Sequence, residues 1–290
     1  MSEAVKIVEC PRDAWQGLSG VIAPEAKAAY LRKLIDAGFT YIDAVSFVSP
    51  AAVPQMADSE RVLELLMPPE HVEIIGILVN RKGAERAIRT GAVRTLGFPF
   101  SISVQFLNRN QHQTPEEALQ ELRQIVAMAR DADFDVVAYL SMAFGNPYGE
   151  AWSIGEVLDA CGLLMDSGVR QVSLADTVGL ASPQQIAEAV AAVLAAHSGI
   201  ELGVHLHARR EQAPTRIRAA FEAGCRRFDG AIGGLGGCPF AQDSLVGNIP
   251  TEVLIAELKG CGAQLPAFGP LDDLIRSGAE IAAGCGAPVN

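Results

Sequence analysis

Residues 201–207 read ELGVHLH. An apolar run of this kind forms a buried strand, and the two-residue repeat of a strand turns His205 and His207 to the same side. Two imidazoles so placed are how a metal is held. The plain alternative is two histidines in no special relation, and the residues at the other strand ends separate the two readings.

Outward from this stretch, short β-branched runs alternate with longer segments of helical period about eight times. The expected strands are 5–10, 40–47, 71–79, 95–103, 134–142, 171–176, 201–207 and 226–233. Helical segments lie between them near 24–37, 58–67, 81–90, 115–131, 153–167, 182–197, 210–223 and 251–261. Several open at cap-like residues such as Thr114, Ser153 and Ser182. Gly38, Gly91, Gly168 and Gly224 stand where a helix closes in a left-handed residue before the next strand. Such alternation leaves an open doubly wound sheet or a closed barrel. Eight units in 290 residues, with no linker or composition break, favour a single (β/α)8 TIM-barrel domain over 1–290, with an additional C-terminal helix near 270–283.

Composition narrows the function. The chain is 49% hydrophobic with a net charge of -11, which argues against a nucleic-acid partner because such affinity rests on basic patches. No apolar segment is long enough to span a bilayer and no signal peptide opens the chain, so neither membrane insertion nor secretion is expected. Six cysteines without paired spacing fit reduced thiols in a cytoplasm.

The active site of such a barrel lies at the C-terminal ends of its strands. The first strand runs into Arg12-Asp13, the second carries Asp43, the sixth ends at Asp176 and the seventh at His205 and His207. A carboxylate and two imidazoles from facing strands suit a divalent ion, Mg2+ or Mn2+ ahead of Zn2+, with Asp13, His205 and His207 as ligands. Taken singly, Arg12-Asp13 reads equally as a local ion pair, and Asp43 and Asp176 as caps or loop anchors; Asp176 would also serve to hold a histidine tautomer. The eighth strand runs into GGLGGCP (233–239), either a phosphate-cradling turn or a mobile flap that carries Cys238 over a substrate.

The stretches VECPRDAWQ (8–16), SFVSPAAVPQMAD (46–58), GNPYGEAWS (145–153), SLADTVG (173–179), VHLH (204–207) and GGLGGCPFAQDSLVGNIPTE (233–252) resemble the 3-hydroxy-3-methylglutaryl-CoA lyase family of the DRE-TIM metallolyases. The resemblance implies metal ligation by Asp13, His205, His207 and Asn248. It also implies catalytic roles for Arg12, Asp13, Asp43, Asp176, His205 and Cys238, and substrate contacts from Arg12, Gln16, Asn110 and Tyr148. The implied partner is a small acyl-CoA, bound by a homo-oligomer, a dimer by resemblance alone. The implied reaction breaks the C2-C3 bond of a tertiary 3-hydroxyacyl-CoA to give acetyl-CoA and a 3-oxo acid, with Cys238 or a water returning a proton to carbon.

The chain also departs from the family pattern. Asp43 stands where Glu is usual, one methylene shorter, and is expected to lose its contact to Arg12 or the metal's outer shell, or to make it through water. Ala208-Arg209-Arg210 replaces an acidic residue after the second metal histidine, which removes a supporting carboxylate and adds two cations near the mouth. Ala14-Trp15 replaces Gly-Leu, a basic residue is missing near Ser19, and Ser103-Val104 replaces Ser-Glu. Two further readings follow from these changes. One is a metal-dependent aldolase on a hydroxy-oxo acid without CoA, its pocket reshaped by Trp15 and Arg209-Arg210; the other is a barrel that binds metal or CoA without turnover.

Overall fold

Each of the eight apolar runs forms a strand: β1 (Lys6–Glu9), β2 (Tyr41–Ser46), β3 (Glu73–Ile77), β4 (Thr95–Ser101), β5 (Asp135–Ser141), β6 (Gln171–Ala175), β7 (Glu201–His205) and β8 (Arg227–Gly230). They come from a computed structural model that describes residues 4–236 and 246–286. All pair in parallel with their sequence neighbours, and β8 pairs with β1 through Lys6↔Arg227 to Glu9↔Gly230, so the sheet closes into a barrel. The expected TIM barrel is therefore the fold.

The helices are α1 (Pro11–Gln16), α2 (Pro24–Asp36), α3 (Ser59–Leu66), α4 (Arg81–Thr90), α5 (Val104–Gln111), α6 (Pro115–Asp131), α7 (Ile154–Asp166), α8 (Pro183–Ala196), α9 (Ala213–Glu222), α10 (Thr251–Gly260) and α11 (Asp272–Gly284). The last is the expected C-terminal helix. Thr114, Ser153 and Ser182 each accept the third helical N–H through the side chain, and Thr114 and Ser182 complete capping boxes with Glu117 and Gln185. The four glycines expected at helix ends all have positive φ, from +64° at Gly91 to +107° at Gly224.

Two helices escape a reading by periodicity. Both α1 and α5 are too short to show a 3.6-residue repeat, and both sit at the mouth, directly after β1 and β4. Pro11 opens α1 and the helix lasts barely two turns, long enough to bring Arg12, Asp13 and Gln16 together.

The main core fills the layer between barrel and helices. On α6, Leu119, Leu122 and Ile125 face it at helical spacing, each burial contributing about 1.5–3 kcal/mol. Inside the barrel the apolar filling is smaller, with Val8, Cys10, Ile75, Ile77, Val137 and Tyr139 in one cluster. Among the described residues five cysteines are free and four of these are buried, as core fillers would be. Among them, too, no helix is long and apolar enough to cross a membrane.

Glu9 seals the barrel seam. Its carboxyl is buried and accepts from Ile232 N at 2.8 Å and from Thr251 Oγ1 at 2.5 Å, tying β1 to the start of the glycine loop and to α10. Burial pushes Glu9 up to about 8, against the pull of these two donors. The folded state thus holds this proton more tightly than the unfolded chain, so Glu9 makes stability fall as pH rises from about 4.5 to about 8. Gln can accept from Ile232 N through its oxygen and donate to Thr251 Oγ1 through its amide nitrogen, without the charge. Glu9→Gln is expected to flatten the decline in Tm over this range and to match or exceed the parent at pH 8, as thermal melts at stepped pH will show.

Candidate metal centre and active site

At the C-terminal mouth of the barrel, a cavity of ≈ 160 Å³ is lined on one side by Arg12, Asp13, Gln16, His205 and His207. Apolar side chains, among them Val53, Ile77, Pro99 and Phe106, form much of the rest.

Arg12 and Asp43 are a buried, two-point ion pair, with Nε 3.0 Å from Oδ1 and Nη2 2.5 Å from Oδ2. The expectation that the shorter Asp43 would lose Arg12 or reach it through water is thus overturned. Arg12 stands on α1, close against β2, and its long side chain spans the gap. Arg12 Nη1 also donates to Asp13 Oδ1 at 3.2 Å and to Gln16 Oε1 at 2.8 Å. Four of the five guanidinium N–H donors are thereby committed, which leaves one on Nη2 for a substrate oxygen.

One donor atom from each of Asp13, His205 and His207 lies within 4.8 Å of the other two, and all three residues are buried. His205 Nε2 stands 4.0 Å from Asp13 Oδ2, so these two atoms would be among those that hold an ion. Burial would push the Asp13 carboxyl up, but Arg12 and then His205 outweigh it and hold Asp13 below the usual range. His207 is driven down to about 4 by burial and by the neighbouring His205, so it is neutral at pH 7. Its Nδ1 lies 3.0 Å from the Val246 carbonyl, which can only accept, so Nδ1 carries the hydrogen and Nε2 the lone pair. His205 Nδ1 faces Asp229 Oδ2 at 3.3 Å. Burial opposes charge on His205, yet Asp229 and Asp13 together raise it. Asn248 donates to Asp13 Oδ2 at 2.8 Å and to Leu235 O at 2.9 Å, so only its amide oxygen remains to offer a lone pair. A carboxylate and two imidazoles, one of them with its tautomer set by Val246, fit a divalent ion.

The glycine loop reaches this centre through Gly236. With φ of +86°, a Cβ there would lie 2.6 Å from Ala14 Cα and 2.8 Å from Asp13 O, so the loop can lie on α1 only as glycine. Cys238 falls outside the described residues.

Other candidates are placed differently. Asp176, read as catalytic, spends its carboxylate on Leu180 N at 2.8 Å, Ala181 N at 3.1 Å and Arg216 Nη1 at 3.0 Å, and it does not line the cavity. Burial raises it to about 6, against Arg216 and the backbone donors. It anchors the turn after β6, the role that remained open for it in the sequence. Asn110 lines the cavity and donates Nδ2 to Phe106 O. Tyr148 does not line it; its ring lies under the Arg109 guanidinium at 4.7 Å.

The two cations expected near the mouth do not line the cavity. Arg209 is exposed, and Arg210 pairs with Glu252 at 2.6 Å. Trp15 is buried edge-on against Tyr30 instead of facing the pocket. Where the resemblance expects Glu after Ser103, Glu150 comes from the loop after β5, accepting from the Ser103 hydroxyl and from Gln105 N at 3.1 Å.

Asp229 escaped the reading of the sequence. Its signal was present, since RRFDG on the eighth strand puts an acid in register with His205.

Fold and site together define a (β/α)8 barrel with a carboxylate–histidine metal centre beside a buried arginine. The chain belongs to the HMGL-like family, whose model matches residues 4–269. It is 34% identical over 278 residues to mitochondrial hydroxymethylglutaryl-CoA lyase of Bos taurus, covering 96% of this chain and 84% of that one. It is 32% identical to hydroxymethylglutaryl-CoA lyase YngG of Bacillus subtilis, over 86% of this chain and 83% of that one. An HMG-CoA lyase from Acinetobacter baumannii, solved in complex with coenzyme A and 3-methylmalate, superposes with a TM-score of 0.89 at 32% identity, over 99% of this chain and 92% of that one.

Proposed function

We propose that this chain is a divalent-metal-dependent carbon-carbon lyase that cleaves 3-hydroxy-3-methylglutaryl-CoA, or a closely related 3-hydroxyacyl-CoA, to acetyl-CoA and a 3-oxo acid. The observation that carries the reading is the contact between Arg12 and Asp13, which sets a fixed cation beside the Asp13, His205, His207 donor set at the mouth of one cavity. Family membership supports the same chemistry.

Asp13, His205, His207 and Asn248 would hold the ion, which when bound supplies Lewis acidity toward the substrate hydroxyl. A donor set of one carboxylate, two imidazoles and an amide suits a divalent ion; we take Mg2+ or Mn2+, with Zn2+, which imidazoles also suit, as the alternative. A base or water at the mouth takes the hydroxyl proton, the oxygen's electron pair forms the C3=O bond of the 3-oxo acid as the C2-C3 bond breaks, and the pair from that bond passes to the thioester as an enolate. Arg12 meets that charge where it develops, because Asp43 holds the guanidinium in place before the reaction starts. Cys238 or a water then returns a proton to C2, which completes acetyl-CoA. Apolar side chains, Val53, Ile77, Pro99 and Phe106 among them, line much of the cavity in which the enolate forms.

The aldolase reading rested on Trp15 and Arg209-Arg210 reshaping the pocket, and none of the three lines it. The non-catalytic reading rested on Asp43 and Ala208, and Asp43 holds Arg12 directly. The test is a panel of 3-hydroxyacyl-CoA thioesters with Mg2+ or Mn2+, followed by acetyl-CoA release. Release that a chelator abolishes and added metal restores is expected. No release across the panel would overturn the proposal, and activity only on a 4-hydroxy-2-oxo acid would move the assignment to the aldolase.

A further inference from the structure

Position 208, directly after His207, is a buried Ala with no group to support the metal ligand, yet His207 is held at two points. Its backbone oxygen accepts from Arg216 Nη1 at 2.6 Å, and its ring Nδ1 donates to Val246 O at 3.0 Å. Arg216 reaches in from α9 and is itself buried. The same guanidinium donates to Asp176 Oδ2 at 3.0 Å and, through Nη2, to Gly179 O at 3.2 Å. Val246 rests on the same turn: Gly179 has φ of +69°, and a Cβ built there would stand 3.1 Å from Val246 Cβ and Cγ1. Both restraints on His207, one on its main chain and one on its ring, therefore converge on residues 176–181.

We propose that Arg216 is a positioning residue for the metal centre, a clamp that with Asp176 and Gly179 sets the place of His207 in lieu of a carboxylate at 208. The proposal rests on the metal reading given above. A planar fork suits the task, because its donors leave in fixed directions and can bind two carbonyls and a carboxylate at once. A carbonyl held at 2.6 Å fixes the backbone from which the imidazole projects. Groups that orient ligands in this way typically change metal affinity by about 10–100-fold when removed.

Titration of the metal-free full chain with Mn2+ by calorimetry tests this. Arg216→Met is expected to raise the Mn2+ Kd by about 10–100-fold while kcat at saturating Mn2+ stays within several-fold of the parent. Arg216→Lys is expected to recover part of the affinity, since an ammonium reaches Asp176 but cannot span both carbonyls. Gly179→Ala, which presses on Val246, is expected to weaken binding in the same direction. Lys27→Met is the control: it breaks the pair between the buried Lys27 Nζ and the half-buried Asp58 Oδ1, 2.7 Å apart, neither of which lines the cavity. It is expected to lower Tm and leave the Mn2+ Kd unchanged.

If Arg216→Met binds Mn2+ within twofold of the parent, Arg216 is only structural and the proposal falls. Should Arg216→Met not fold, unchanged affinity in both Arg216→Lys and Gly179→Ala overturns it equally. A parent that binds Mn2+ but cleaves no thioester refutes the proposed function and leaves the clamp standing on its own result; a parent that binds no Mn2+ overturns both.

Discussion

Arg12→Met is expected to lower kcat for acetyl-CoA release by about 100- to 1,000-fold, the usual loss when a preorganised donor to a developing oxyanion is removed. The cause is local. Asp43 fixes Nε and Nη2, Asp13 and Gln16 take Nη1, and the remaining N–H is aimed without rearrangement. The substitution also leaves Asp43 buried without its cation, which costs about 3–5 kcal/mol of stability. The two effects separate in the double variant Arg12→Met/Asp43→Leu, which removes both charges: its Tm is expected to return toward the parent while kcat stays low. Steady-state kinetics beside thermal melts reads both. If kcat recovers together with Tm, Arg12 acts only through the fold.

Asp13→Asn is expected to weaken Mn2+ binding by more than the roughly 100-fold typical of losing a group that merely orients a ligand. The amide keeps the shape of the side chain but not its charge. Asp13 is the carboxylate of the Asp13, His205, His207 set, and Arg12 and His205 keep it ionised despite burial. Activity should fall with metal occupancy, so excess Mn2+ should restore part of it in Asp13→Asn and none in Arg12→Met. Calorimetry and a metal titration of the rate decide. Binding within a few-fold of the parent would remove Asp13 from the ligand set.

How much of this was legible beforehand depended on the range of the signal. The strands, the long helices and their caps are written in periods and cap residues a few positions apart, and each expected strand is found within a few residues of its place. Helices α1 and α5 were not legible, because six and eight residues carry too little period. Asp13, His205 and His207 were recognisable because strand ends in a barrel converge. Asp229 could have been found by the same rule, since it stands opposite His205 on the neighbouring strand.

What the sequence alone determined is the barrel, the residues at its mouth and the family whose chemistry they suit. What only the tertiary structure decided is the partner of each charge. Asp43 lies 31 residues from Arg12 and still holds it directly, Asp176 lies 40 residues from Arg216, and Asn248 lies 235 residues from Asp13. A methylene lost at Asp43 or a carboxylate missing at Ala208 looks like a defect along the chain. In the folded molecule the long Arg12 side chain and an arginine from α9 meet those needs, because packing brings together side chains that no local period relates.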